Sequence, residues 1–158
     1  MKVAVIMGSK SDYPKLEEGI KLLERFDVEV SVRALSAHRT PKQLVSFLEE
    51  IENDTDVIIG AAGKAAHLPG VIASQTTMPV IGVPCKGAIE GLDALFSIVQ
   101  MPKSIPVATV GINNAYNAGM LAVQMLAVGD KELKAKLVEY RKEMKEKFIA
   151  ENGEGVDL

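Results

Sequence analysis

The chain is expected to fold as an α/β protein, with a parallel sheet layered between helices. Three features of the sequence predict this. Short β-branched runs recur along it, amphipathic helical patterns separate them, and each of its two histidines stands where a run gives way to a helical segment. Repeated strand–helix–strand crossovers imply parallel strands, whose carboxyl ends carry the functional loops.

Taken in order, residues 3–7 (VAVIM) form the first run. Leu16, Ile20, Leu23 and Phe26 then mark one face of a helix. Residues 28–32 are the second run, followed by a helix faced with Leu44, Phe47, Leu48 and Ile51. Residues 57–59, 80–83 and 107–110 are the remaining strands, of the buried or half-buried type. The last third differs. Residues 113–128 are apolar or small on nearly every side, so that helix must be covered all round, which a lone domain struggles to do. From about Lys131 a charged helix carries Leu133, Leu137, Tyr140, Met144 and Phe148 at steps of three or four. Both helices packing on their own domain is the bland alternative; together they favour a homo-oligomer. Residues 151–158 read as a frayed tail.

Composition narrows the function classes. At 158 residues the chain has single-domain size, and such a chain buries about 68–70 % of its unfolded surface without needing a disulfide or metal. It is 47 % hydrophobic and 25 % charged, with a formal net charge of −3. No basic excess attracts a nucleic acid or an anionic membrane. The lone Cys85 has no partner for an internal bridge and no zinc-type ligand spacing around it, which fits a reducing cytoplasm. Residues 1–7 are too short for a signal sequence or a membrane span. The expectation is a soluble, unexported, cytoplasmic protein: a single catalytic domain over residues 1–158, with 130–158 as a helical arm and tail.

The loops carry the chemistry. After the first strand, Gly8 permits a turn, Ser9 and Ser11 bring hydroxyls, and the next helix start offers free N–H groups to a phosphate. Asp12 would repel a phosphate and suits ribose hydroxyls better. On this motif alone, helix capping by Ser11 and Asp12 is the preferred reading. After the second strand, Thr40 is a good N-cap, Pro41 suits the first turn and Gln43 completes a capping box. His38 and Arg39 are thereby left free, the one to titrate and the other to grip a phosphate in bidentate fashion. The third loop, Gly60-Ala61-Ala62-Gly63-Lys64-Ala65-Ala66, is small enough for a planar heterocycle to lie on its backbone. His67 is either a second polar group of the pocket or a substitute N-cap, and the second role is preferred. The fourth loop, residues 83–91, is a lid or, preferably, a plain connection. Cys85 is read as a small buried hydrophobe rather than a nucleophile.

Four motifs in order, Met7-Gly8-Ser9-Lys10-Ser11-Asp12, Ser36-Ala37-His38-Arg39-Thr40-Pro41, Ala65-Ala66-His67-Leu68-Pro69-Gly70 and Ser97-Ile98-Val99-Gln100-Met101-Pro102, closely resemble the catalytic subunits of the 5-(carboxyamino)imidazole ribonucleotide mutase family of purine biosynthesis. The resemblance spans nearly the whole chain. It implies a flavodoxin-like three-layer αβα sandwich, assembled as a homo-octamer whose C-terminal helix reaches a neighbouring subunit. It implies a small ribonucleotide substrate, whose carboxylate moves from the exocyclic amine to ring carbon 4, with no metal, ATP or organic cofactor. It implies general acid/base work at His38, phosphate contacts at Ser9, Ser11 and Arg39, and a ribose contact at Asp12. Ser36, Gly63, Lys64, Ala65, His67 and Leu68 would contact phosphate, base or carboxylate. Two departures stand out: Lys64 replaces a usual second glycine, and the loop from Cys85 to Gly91 is slightly short. Two rival functions are carried beside this one. The first is direct carboxylation of aminoimidazole ribonucleotide by carbon dioxide. The second is a flavin-binding electron carrier, against which stand 4 % aromatic content and no tryptophan to stack on a flavin.

Overall fold

Strands β1 (Lys2–Met7), β2 (Glu29–Ala34), β3 (Val57–Gly63), β4 (Val80–Cys85) and β5 (Ala108–Thr109) pair in parallel in the order β2-β1-β3-β4-β5. The structure is a computed structural model and describes residues 1–153. Helices α1 (Tyr13–Arg25), α2 (Pro41–Ile51), α3 (Leu68–Gln75), α4 (Leu92–Val99), α5 (Ala115–Leu126) and α6 (Lys131–Asn152) complete the expected three layers.

The two-residue period of β1 divides the core. Val3, Val5 and Met7 face one way, into a cluster with Leu16, Leu23 and Phe26 of the α1 region and with Ala118 and Val123 of α5. Ala4 and Ile6 face the other way, among Leu44 and Leu48 of α2, Ile72 of α3 and Ile98 of α4. A strand buried on both faces has no polar alternation, which is why these runs read as continuous apolar stretches. All the predicted helix-facing residues of α1 and α2 are buried.

Several boundaries differ from expectation. β3 and β4 run further, to Gly63 and Cys85, because small residues pair there, Gly60 with Gly82 and Gly63 with Cys85. The fifth strand shrinks to Ala108–Thr109. Pro106 has no N–H to give and Gly111 follows, although the Val110 N–H still donates to the Gly82 carbonyl at 3.1 Å. The charged helix continues through Glu151 and Asn152, so the expected frayed tail does not begin there; its last residues, 154–158, lie outside the described residues.

The apolar fifth helix finds most of its cover at home, contrary to the expectation that one domain would struggle. A Cβ built on Gly19 of α1 would lie 2.3 Å from the Ala115 carbonyl oxygen, and one on Gly119 would lie 2.7 Å from that of Gly19. The two helices therefore touch backbone to backbone, which only small residues permit. Tyr116, Asn117 and Gln124 form the exposed strip of α5.

On α6, Leu133 is buried while Leu137 and Tyr140 lean on the core. Lys136 pairs with Asp27 at 2.6 Å, Arg25 lies 5.0 Å over the Tyr140 ring, and the Tyr140 and Tyr116 hydroxyls share a hydrogen bond. Further along, Met144 and Phe148 are 48 % and 64 % exposed.

Candidate functional site

At the carboxyl ends of the strands, a cleft of about 510 Å³ opens between the loops that follow β1, β2, β3 and β4. That size suits a small ligand. The order β2-β1-β3 places the β1 loop in the middle, at the point where the chain reverses its direction across the sheet, and such points are where open sheets bind ligands. All the residues singled out from the sequence line the cleft: Ser9, Ser11, Asp12, Ser36, His38, Arg39, Gly63, Lys64, Ala65, His67 and Leu68. The fourth motif, around Gln100, is not among the lining residues; it closes α4, where the Met101 sulfur packs against Gly70.

The β1 loop places two serine hydroxyls side by side at the cleft. The Gly8 N–H donates to the Ala61 carbonyl at 3.0 Å, which fixes where the strand ends. Ser9 is extended, and its hydroxyl lies 2.9 Å from that of Ser11. The capping reading fails here. Asp12 makes no cap bond; its carboxylate is held by Lys15 at 3.1 Å, and Lys15 also donates to the Lys86 carbonyl at 3.2 Å. Ser9, not Ser11, is the residue that accepts from a turn N–H, at 3.4 Å.

The β2 loop departs from its expected cap as well. Thr40 stands at the N-cap position without a side-chain cap bond, so no capping box forms. Its hydroxyl turns back, accepting from the Ser36 N–H at 2.9 Å and donating to the Ser36 carbonyl at 3.2 Å. This closes residues 36–40 on themselves. Arg39 is consequently not free: its guanidinium donates to the Gly8 carbonyl at 2.8 Å and to the Ser36 hydroxyl at 3.3 Å, which bridges the β1 and β2 loops. The remaining donors of its fork make no side-chain hydrogen bond among the described residues.

The β3 loop supplies the second histidine. Gly63 packs so tightly that a Cβ would meet the Cys85 carbonyl oxygen at 3.1 Å. Lys64 follows with φ of 58°, a left-handed conformation that costs a non-glycine residue about 1 kcal/mol. His67 stands at the N-cap position of α3 but makes no cap bond, which corrects its preferred role. Its Nδ1 instead lies 2.9 Å from Nε2 of His38, with the ring centroids 4.9 Å apart and the planes at 77°. Both rings are surface-accessible, so the pair faces the cleft.

Sequence reasoning missed Lys15 and weighed Lys86 and Gly87 only as part of a lid or a plain connection; all three line the cleft. Lys15 carried a signal, since it stands three residues after Asp12 on one helical face. Lys86 and Gly87 follow directly on the end of β4, where strand ends alone would have pointed to them. The lysine's ammonium pairs with Glu90, and its N–H donates to Asn113 Oδ1 at 2.8 Å. The fourth loop thus contributes to the site rather than merely connecting elements. Cys85 just behind it is fully buried, and burial, with the Asp12 charge second, pushes its thiol up to about 11. Such a thiol is no nucleophile at neutral pH. Among the described residues, no group of three or more His, Cys, Asp or Glu is placed to hold a metal ion, and no helix is long and apolar enough to cross a membrane.

The family model described as AIR carboxylase matches residues 2–147. The chain belongs to the AIR carboxylase family. Among its relatives is the N5-carboxyaminoimidazole ribonucleotide mutase of Pyrococcus abyssi, 53 % identical over 146 residues that cover 91 % of this chain and 84 % of that protein. The protein of the same name from Methanocaldococcus jannaschii is 51 % identical over 150 residues, 94 % of this chain and 93 % of the other. The crystal structure of Treponema denticola PurE superposes with a TM-score of 0.87 at 30 % identity, covering 94 % of each chain. The AIR carboxylase family fold is thus the parallel five-stranded sandwich described above.

Proposed function

We propose that the chain is an N5-carboxyaminoimidazole ribonucleotide mutase. It would convert 5-carboxyamino-1-(5-phospho-D-ribosyl)imidazole to 5-amino-1-(5-phospho-D-ribosyl)imidazole-4-carboxylate in purine biosynthesis. The mutase activity of relatives so named, at about half identity over most of the chain, supports the reading. The observation that carries the chemistry is the His38–His67 contact at 2.9 Å, beside loops bearing Ser9, Ser11 and Arg39.

In this reading Ser9, Ser11 and Arg39 hold the phosphate, Asp12 the ribose, and Ser36 with Gly63, Ala65 and Leu68 the base. His38 gives a proton to the exocyclic nitrogen as its bond to the carboxyl carbon breaks, leaving an amine and carbon dioxide. Ring carbon 4 then attacks the trapped carbon dioxide, and His38 recovers the proton which that carbon sheds. One proton leaves and one returns, so no cofactor is consumed. His67 fixes the proton's position on its partner: when Nε2 of His38 donates to His67, the other nitrogen of His38 is bare and basic, and when it accepts, that nitrogen carries hydrogen. Holding the base and the carbon dioxide together is the larger part of the task, because the recapture step is then intramolecular.

The assembly proposed with this function is a homo-octamer in the cytoplasm, each subunit one catalytic domain with the α6 arm. Direct carboxylation of aminoimidazole ribonucleotide is the second reading, favoured by the family description and by the carboxylase names of further relatives. Supplying the purified protein with either substrate, without ATP, tests the choice. Rapid conversion of the carboxyamino compound supports the mutase; consumption of only the uncarboxylated one with bicarbonate supports the rival.

A further inference from the structure

We propose that Lys64 is the specificity-determining cation of the cleft, whose ammonium recognises the carboxylate that the reaction moves rather than the phosphate. This rests on the mutase reading. Four cationic side chains of Lys and Arg type line the cleft: Lys15, Arg39, Lys64 and Lys86. Three are engaged by the protein. Arg39 holds the Gly8 carbonyl, Lys15 holds Asp12 and the Lys86 carbonyl, and Lys86 pairs with Glu90. Lys64 is exposed, and among the described residues its ammonium has no hydrogen bond or ion pair.

Its backbone makes the choice of residue informative. At φ of 58° glycine is at ease and lysine is not, so the fold gains nothing from a side chain here. Nor does that side chain simply trail into solvent. A Cβ on Gly87 would lie 3.8 Å from Lys64 Cγ, so the stem leans from the β3 loop toward the β4 loop, over the cleft. The substrate carries two anionic groups, and the serines and Arg39 on the β1 and β2 loops suit the phosphate. The carboxylate must lie beside the proton-transfer group. Lys64 shares its loop with His67, three positions away, and His67 is bonded to His38. The uncommitted charge and one member of the acid/base pair are therefore carried by the same loop, and both border the cleft.

Lys64 attracts the carboxylate oxygens in substrate and in product, and to a similar degree while the bond to carbon breaks or forms. Its contribution is to binding, and it acts on KM more than on kcat. The test compares the unaltered protein with Lys64→Met, Lys64→Arg and Lys64→Gly, measuring KM and kcat for the carboxyamino substrate and the inhibition constant of aminoimidazole ribonucleotide, which lacks the carboxylate. In Lys64→Met and Lys64→Gly, kcat/KM falls about tenfold, nearly all through KM, while the inhibition constant stays within about twofold; Lys64→Arg retains the unaltered KM. The glycine variant melts no lower than the unaltered protein, which separates a lost charge from a damaged fold. Equal shifts in both constants, or no shift in KM, overturn the assignment of Lys64 alone. Absence of turnover by the unaltered protein overturns the mutase reading and this inference with it.

Discussion

His38 Nε2 lies 2.9 Å from His67 Nδ1, although the two residues follow strands that are not neighbours, β2 and β3, with β1 between them. Neither ring is engaged by a carboxylate among the described residues; each is the other's partner. Replacing His38 with Asn is expected to lower kcat by about 10²–10⁴-fold, the usual worth of a positioned acid/base, with ribonucleotide affinity within a few-fold. His67→Phe keeps a ring but cannot exchange a hydrogen bond, and is expected to lower kcat as well, because it removes the control of the tautomer though not the proton carrier. Single-turnover rates with calorimetric binding check both. Near-normal rates in His38→Asn would remove it from the mechanism.

The backbone contact between α1 and α5 predicts a large effect from one methyl group. Gly19→Ala would push a Cβ to 2.3 Å from the Ala115 carbonyl oxygen. Overpacking of that kind costs about 1–3 kcal/mol, offset by at most about 1 kcal/mol of helix propensity. Gly129 has nothing within 4 Å of its Cβ position and serves as the control. Urea unfolding should show Gly19→Ala less stable and Gly129→Ala unchanged or slightly more stable; equal midpoints would contradict the packing described.

Most of the sandwich was legible because buried parallel strands and amphipathic helices leave periodic signals, as in β1, α1 and α2. The cleft residues were legible because strand ends, polar residues and small residues coincide at Ser9, His38 and Gly63. The roles of individual side chains were less so. Thr40 has the identity of a cap, yet its hydroxyl spends both its bonds on Ser36. His67 looked like a cap because sequence gives its position on α3 but not the histidine that faces it from another loop. Arg39 looked free for the same reason. Local rules rank local partners, and each of these side chains found a partner that local capping rules do not supply.

Cys85 supplies a pH dependence. Burial raises its folded-state value from 9.0 to about 11, so the folded protein keeps the proton that the unfolded chain loses above pH 9. The thiol's contribution is therefore fully present below about pH 9 and is lost as pH rises toward about 11, at up to about 1.4 kcal/mol per pH unit. Denaturant midpoints of the protein and of Cys85→Ala, measured from pH 8 to 11, should converge as pH rises. Iodoacetamide should leave the native thiol untouched at pH 8 and modify it after unfolding. Rapid labelling of the native protein would contradict its burial.

Assembly is the expected fate of the apolar side chains left on the surface. Phe96 of α4 is 57 % exposed, and Val138 and Phe148 of α6 are each 64 % exposed. Light scattering should report eight subunits, and removal of residues 131–158 should give smaller species or aggregates. A stable monomer at micromolar concentration would contradict the octamer.

The origin of the transferred carbon tests the central claim most directly. The carboxyamino substrate, labelled with carbon-13 in its carbamate, is converted in a large excess of unlabelled bicarbonate, and the product carboxylate is read by mass spectrometry. If the cleft traps the carbon dioxide that the substrate releases, the label is retained in the product. If the product carries bicarbonate carbon throughout, the carbon dioxide has come from solution, and the mutase account is wrong.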